Sequence, residues 1–513
     1  MSSTEVLFKQ YGPAYKWLAT GTAMLGTLSM TLATTIVNVA IPDIMGNFGI
    51  DQAKAQWLST GFLAAMAAFM LLSAWALHTF GMKAAYIGAM VAFMLAAILG
   101  GMSPNEDVII ISRMLQGAMA GIIQPLAMTV IFQVFPPRQR GLGMGIYGLG
   151  VILGPAIGPA VGGVLVDWFS WRAVFFMPLP TCLLSIVFAL FFAPGRDLAT
   201  EKFRFDWLGF GLLCAFLGSL LWALSNGQRL GWDALPIGGL FLVALLAGIA
   251  FIAWELLTSQ PLLNVRIFAI PAFAAGSAIG FCYGAGLFGS TYLIPLFVQQ
   301  IQGFTATDAG FLLMPAGLAM ALIFPLAGHL SDRLPAPAII SAGTLLIALS
   351  CYALSVADVN TLPWVMVLWV AVGRIGLGLG LPSISTGSLR VLPLQLVSQG
   401  AGAVNFSRQL GGAIGVNLLS LALDRRTAQH ASSLTDTQTA GNTVTTELLR
   451  RWQELGPTIG LSPDQLVPES LRFLGKIIHA QAYAQSFRDS FLMLAFVFVI
   501  ALIPAWIMRR SMR

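Results

Sequence analysis

The chain has 513 residues, of which 57% are hydrophobic and only 9% charged, whereas soluble domains carry about 25% charged residues. So much apolar surface excludes a single water-soluble core and makes lipid the solvent. The net charge of +6 does not point to nucleic acid, because the basic residues sit in short loops between apolar runs, where they act as an orientation signal.

A membrane-crossing helix needs about 20 apolar residues, and fourteen such runs follow the polar start Met1 to Lys16. The first, 18–41, ends on Thr34-Thr35-Ile36-Val37-Asn38-Val39-Ala40-Ile41-Pro42. Runs 57–77 and 85–102 flank Ala74 to Thr79 and the stretch His78-Thr79-Phe80-Gly81. Run 108–132 holds Ser112-Arg113-Met114-Leu115-Gln116-Gly117 and then Gln124. Run 142–166 contains Gly154-Pro155-Ala156-Ile157-Gly158-Pro159-Ala160-Val161-Gly162-Gly163. Its glycines at 154, 158 and 162 share one helix face and let a neighbour approach closely. Its prolines remove internal hydrogen bonds, so the segment reads as packing or gating.

Trp171-Arg172-Ala173-Val174-Phe175-Phe176-Met177-Pro178 opens run 173–193, and runs 207–226 and 235–257 follow. Run 272–296 carries Tyr283 and Tyr292, with Gln299 just beyond, and run 308–330 leads into Gly328-His329-Leu330-Ser331-Asp332-Arg333. Run 337–356 precedes run 363–387, which holds Gly373-Arg374-Ile375-Gly376-Leu377-Gly378. Run 400–423 carries Asn405 and Arg408-Gln409-Leu410-Gly411-Gly412-Ala413-Ile414-Gly415, and run 490–508 is the last. The breaks expected between runs include Pro42-Asp43, Pro136-Pro137-Arg138, Pro194-Gly195-Arg196 and Pro335-Ala336-Pro337. Segment 424–489 is the one long polar connection, rich in Thr and Ser from Thr427 to Thr446, with helical stretches expected near Glu447 and from Pro463 onward. It reads as a solvated spacer or a docking surface.

With a cytoplasmic N-terminus, the inside segments hold 14 Lys and Arg residues, among them Arg196 and Lys202, against three (Lys54, Arg172, Arg229) in the short outside loops. That bias predicts cytoplasmic N- and C-termini and an even number of spans.

Charge inside a bilayer is costly and marks function by default. All 21 acidic residues fall in loops or at span ends, Asp167, Asp206, Glu255 and Asp424 lying nearest the membrane. Arg113, Arg374 and Arg408 lie within spans, and at about 1.5 Å per residue Arg374 is the deepest. Such arginines either satisfy helix carbonyls or line a watery cavity. The further candidates for a cavity are Thr34, Asn38, Gln116, Gln124, Tyr283, Tyr292, Gln299, Asn405 and Gln409, with helix–helix hydrogen bonding as the competing role of each. The four cysteines fall inside apolar runs and are expected to be buried. No metal-ligand spacing, Walker A loop or catalytic constellation appears, so the expectation is no enzyme activity, no metal and no cofactor.

Two pieces recur half a chain apart. Ala74 to Thr79 answers Gly328 to Arg333, and Arg113 to Gly117 answers Arg374 to Gly378. Taken with the order of the motifs above, the sequence resembles the major facilitator superfamily in its fourteen-span drug:proton antiporter branch. The resemblance implies an all-α polytopic membrane protein. It would have two six-helix bundles related by a pseudo-two-fold axis, over residues 1–193 and 258–513, with a linker and two inserted helices over 194–257. It implies a secondary transporter of the multidrug efflux type in a bacterial inner membrane. Export of amphiphilic small molecules would proceed by alternating access, coupled to protons. A periplasmic adaptor and an outer-membrane channel are the partners to look for. Gating is expected at Gly154, Pro155, Gly158, Pro159, Gly162, Gly163, Gly328, Asp332 and Arg333. Asp332 would pair with a basic or helix-end partner in one state only. That branch carries an Asp in span one where this chain has Ala33, and an acidic first-half loop where it has His78-Thr79. With three arginines and no clear carboxylate in the spans, anionic substrates are expected. A non-coupled facilitator or importer, and a membrane sensor or assembly subunit that has lost transport, stay open as alternatives.

Overall fold

The computed structural model describes residues 3–50, 52–55, 57–195, 204–439, 441–459 and 462–512. Arg196 and Lys202, used above for orientation, lie outside the described residues. Helices account for nearly all of the rest, and no strand occurs among the described residues.

A short helix, α1 (Ser3–Tyr11), precedes α2 (Tyr15–Phe48), which runs through the expected break at Pro42 and stops only where Gly49 takes φ +64°. Helices α3 (Trp57–Met70) and α4 (Ser73–Phe80) make one path bent by 55°. Next come α5 (Met82–Gly101), α6 (Glu106–Val134), α7 (Arg140–Trp168) and α8 (Leu179–Phe192). The inserted pair is α9 (Trp207–Leu230) and α10 (Leu235–Leu257). Helices α11 (Pro271–Gln300), α12 (Ala306–Arg333), α13 (Ala336–Ser355) and α14 (Pro363–Arg390) follow. The last are α15 (Val397–Asp436), α16 (Thr443–Leu455) and α17 (Pro463–Ser511).

By length and apolarity, eleven of these helices can cross a membrane among the described residues, or twelve with the bent pair counted as one span. Helices α7 and α15 stand where two further runs were expected.

Local chemistry sets the starts. The Asn105 side chain accepts from Val108 N at 2.9 Å and opens α6, with Glu106 and Asp107 in its first turn. Thr305 and Asp308 form a capping box on α12, and Ser462 with Gln465 forms one on α17. Segment 424–489 is mostly helix, with helices where the stretches near Glu447 and from Pro463 were expected. Helix α15 continues to Asp436, and α17 begins at Pro463, so the two project as a pair joined by α16. The contact is polar, Thr427 Oγ1 donating to Ser486 Oγ at 2.9 Å and His430 lying 2.9 Å from Asp489 Oδ2. Cys182 and Cys351 are buried as expected, but Cys214 is exposed, on the thinly covered inserted pair.

Helices α2–α8 pack among themselves, as do α11–α15 with α17, giving a first and a second bundle. The bundles meet through α7 and α12 and through α6 and α15. Two faces can be told apart by their bonds. Lys16 donates to Gln139, Lys83 N to Pro194 O, and Arg390 to Asp332 on the face that carries both described ends of the chain, here the terminal face. Lys54–Glu106 and Gln302–Asp358 mark the far face.

Helix α7 has glycine on two edges. Toward the far face, Cβ atoms added at Gly154 and Gly158 would stand 2.2 and 2.3 Å from the Thr31 and Thr35 hydroxyls, and one at Gly162 2.9 Å from Ile36. Thr31 Oγ1 donates to Gly150 O at 3.0 Å across the same contact. Toward the terminal face, a Cβ at Gly145 would lie 2.5 Å from Phe324 O, and one at Gly141 2.3 Å from Gly328 O. Backbone therefore meets backbone between bundles, a geometry that only small residues allow.

Gly145→Val should wedge α7 from α12, because the obstacle is backbone and cannot rotate away. We expect cysteines on the terminal-face side of that contact to become reactive to thiol reagents several-fold faster. Gly163→Val, where an added Cβ meets nothing within 4 Å, should leave them unchanged. Equal reactivity in both variants would contradict the close-contact account.

Candidate functional site: the polar seam between the bundles

Asp332 ends α12 and reaches across the seam. Its Oδ1 accepts from Gly141 N at 2.8 Å and its Oδ2 from Leu142 N at 2.9 Å, capping the first turn of α7 in the other bundle. Arg390, at the end of α14, donates to Asp332 Oδ1 at 2.7 Å and to Ser331 O and Pro137 O at 3.1 and 3.2 Å. The Asp332 side chain is only 6% exposed. An anion at a helix start contributes about 0.3–1 kcal/mol at the surface and up to about 2 when partly buried. Gly328 supplies the close approach one turn earlier, and Arg333 points out, exposed.

Deeper in, α6 and α15 bring polar groups together. Arg408 Nη2 donates to Asn405 Oδ1 at 2.6 Å. Asn405 Nδ2 donates to Ala401 O at 2.9 Å and touches the Met128 sulfur of the first bundle. Tyr147, buried in α7, donates to Gln124 O at 3.3 Å and lies within electrostatic reach of Arg408. Gln124 Oε1 is buried with no hydrogen-bond partner. Arg408, Asn405, Gln124 and Tyr147 thus share the seam where the bundles face each other. Tyr147 was missed from the sequence; it precedes Gly154 by two helical turns, on the glycine-lined face, and that spacing was its signal.

Arg374 donates to Thr291 Oγ1 at 2.9 Å, Thr291 itself being exposed. Asn38 is exposed as well and accepts from Ser59 Oγ at 2.7 Å. Among the described residues no carboxylate pairs with Arg374 or Arg408. Gln299 and Gln409 are half-buried, and Tyr292 donates to Ser420 Oγ at 3.3 Å inside the second bundle.

Other candidates sit away from the seam. Arg113 is fully buried inside the first bundle. It donates from Nε to Leu58 O at 3.0 Å and from Nη1 to Gln116 Oε1 at 2.6 Å, and its guanidinium carbon lies 4.2 Å from the centre of the Phe62 ring. A carbonyl, an amide and an aromatic face replace a carboxylate partner, and Nη2 is left with none. Ala33 is buried in the same apolar cluster as Phe62. Tyr283 is buried in the second bundle, its hydroxyl donating to Ile340 O at 3.2 Å, and Gly343 and Gly380 make room for its ring. Thr34 donates back to Met30 O at 2.8 Å. Pro155 is exposed, Gly163 faces open space, and the side chain of Pro159 lies outside the described residues.

Known proteins share this plan. The family model described as Major Facilitator Superfamily matches residues 23–416. The uncharacterized MFS-type transporter YhcA of Bacillus subtilis is 31% identical over 80% of this chain and 77% of its own length. The multidrug export protein EmrB of Escherichia coli K12 is 27% identical over 94% of this chain and 93% of its own. Among solved structures, the human organic anion transporter MFSD10 superposes with a TM-score of 0.64 at 14% identity, covering 96% of this chain and 99% of that one, a likeness of fold. The chain belongs to the Major Facilitator Superfamily of membrane transporters.

Proposed function

We infer that the chain is a secondary exporter of small amphiphilic molecules, working by alternating access and driven by the proton gradient. The observation that carries this reading is the uneven contact between bundles. They touch along α7–α12 and α6–α15 toward the terminal face, whereas Asn38 and Thr291 stand exposed toward the far face. A tilt of one bundle against the other exchanges the open side about a site at the seam, as repeat-built transporters do. In this reading the bundles span 1–193 and 258–513, the segment 194–257 links them and adds two helices, and the spans number fourteen. Relatives named as a multidrug export protein and a multidrug resistance protein homolog support drug-like substrates.

The terminal face is the cytoplasmic one, in a bacterial inner membrane. Lys16, Lys83, Arg138, Arg140, Arg333 and Arg390 lie on it, against Lys54, Arg172 and Arg229 opposite. The projecting α15–α17 pair then stands in the periplasm, where it offers a surface to an adaptor that leads to an outer-membrane channel. In a cysteine-free background, cysteines at Thr439 and Lys9 should react with an impermeant thiol reagent from opposite sides of the membrane. Reaction from one side would refute this orientation.

The seam favours anions. Arg408 at the seam and Arg374, which donates to Thr291 within the second bundle, meet no carboxylate among the described residues, and a guanidinium fork matches a substrate carboxylate. Reconstituted protein under an imposed pH gradient should move an amphiphilic carboxylate faster than a matched lipophilic cation, with proton movement in the opposite sense. Arg374→Gln should slow the anion at least about tenfold and a neutral substrate little, since breaking a buried pair on one side costs up to about 3–5 kcal/mol. Equal transport of both ions with Arg374→Gln affecting neither would sink the charge assignment. Substrate movement without protons would favour the facilitator reading that Ala33 suggests.

A further inference from the structure

Two acidic side chains meet on the terminal face in the inserted helix pair. Asp206 opens α9, and Glu255 lies near the end of α10. Gly209 makes the meeting possible. The point where its Cβ would stand is 2.4 Å from Asp206 Oδ2 and 2.9 Å from Glu255 Oε1, so both carboxyl groups occupy one notch.

Their surroundings differ. Asp206 is satisfied as an anion: Gly209 N donates to its Oδ1 at 2.9 Å, and the Trp254 indole N–H donates to its two oxygens at 2.9 and 3.0 Å. Glu255 is 3% exposed. Its Oε2 accepts from Leu263 N at 3.2 Å, and its Oε1 is buried with no partner. Among the described residues, Asp206 is the charged group that acts on Glu255, and neither acid has a basic partner.

A bare Glu255 carboxylate would leave one buried oxygen without a protein donor and would face a second negative charge. Both terms are costly in a buried site. A proton on Oε1 removes both, because a neutral carboxyl group carries no charge to desolvate and none to repel Asp206. We propose that Glu255 and Asp206 form a proton-binding site on the inserted helices, separate from the seam between the bundles. The proton is taken from water at the terminal face and returned to it. The other Glu255 oxygen holds Leu263, in the segment that leads from α10 into α11. Glu255 thus links the notch to the start of the second bundle, and loss of the proton sets a second negative charge against Asp206 at that joint. The site requires neither export nor a particular substrate, so it stands apart from the functional reading above.

The test uses the full chain in lipid nanodiscs. At neutral pH the infrared spectrum should contain a protonated carboxylic C=O band that shifts on carbon-13 labelling of glutamate side chains and disappears in Glu255→Gln. Thermal unfolding gives a second readout. A carboxyl group that keeps its proton only in the folded state loses stability as pH rises above the unfolded value of about 4.3. Glu255→Gln should therefore melt with the wild type near about pH 5 and above it at about pH 9. Absence of the band in the wild type, its survival in Glu255→Gln, or a melting difference independent of pH would overturn the proposal. So would sodium, potassium or magnesium salts raising the wild-type melting point at fixed pH but not that of Glu255→Gln, which would assign the notch to a metal cation. Should Glu255→Gln fail to fold, the isotope-edited spectrum of the wild type decides alone.

Discussion

Asp332 closes the first turn of α7 from the other bundle, and the arrangement of the seam follows from that one contact. A helix start presents backbone N–H groups without intrahelical partners. Here two of them are met by a carboxylate belonging to the opposite half of the molecule, held by Arg390. The bond forms only if α7 and α12 approach backbone to backbone, and Gly141, Gly145 and Gly328 allow that approach. Sterics and electrostatics are therefore coupled: separating the bundles breaks the contact and uncovers both charge and helix end at once. A contact made in one state and lost in the other biases a two-state equilibrium by its own free energy.

Helix α7 has two partners along its length. Its far-face half is locked to α2 of its own bundle by threonine hydroxyls on glycine carbonyls, and its terminal-face half lies against α12 of the other. The first half keeps α7 inside its bundle as a rigid part. The second makes a joint that can open without disturbing that packing. The polar groups at the seam sit beside this joint, so a tilt that breaks it also changes what surrounds Arg408, Asn405, Gln124 and Tyr147.

Much of this could be read from the sequence, because membrane helices announce themselves by length and apolarity. Even the cap was within reach, since Asp332 at a helix end calls for a basic or helix-start partner. Other features depended on tertiary context. Pro42 looked like a break, yet a proline with no helix-ending glycine beside it was carried through α2 until Gly49. The helix from Pro463 was legible, but the continuation of α15 through polar residues to Asp436 was not, because it is supported there by α17. Among arginines, depth could be estimated and facing could not. Arg113 turns into its bundle toward Leu58 and Phe62, while Arg408 turns to the seam. Tyr283 and Tyr147 are equally buried tyrosines, one filling its own bundle and one lying beside the other bundle's arginine, and only the assembled helices tell them apart.

The most direct test of this account is the distance across the terminal face, measured by spin labels at Arg138→Cys and Leu394→Cys, both exposed and in opposite bundles. With Asp332 present the pair should show a narrow, short-distance population. Asp332→Asn, which keeps the side-chain shape and removes the charge, should transfer a large share of molecules to longer distances and lower transport, with the protein still folded. An unchanged distance distribution together with an unchanged transport rate would contradict the claim that this cap sets the state of the transporter.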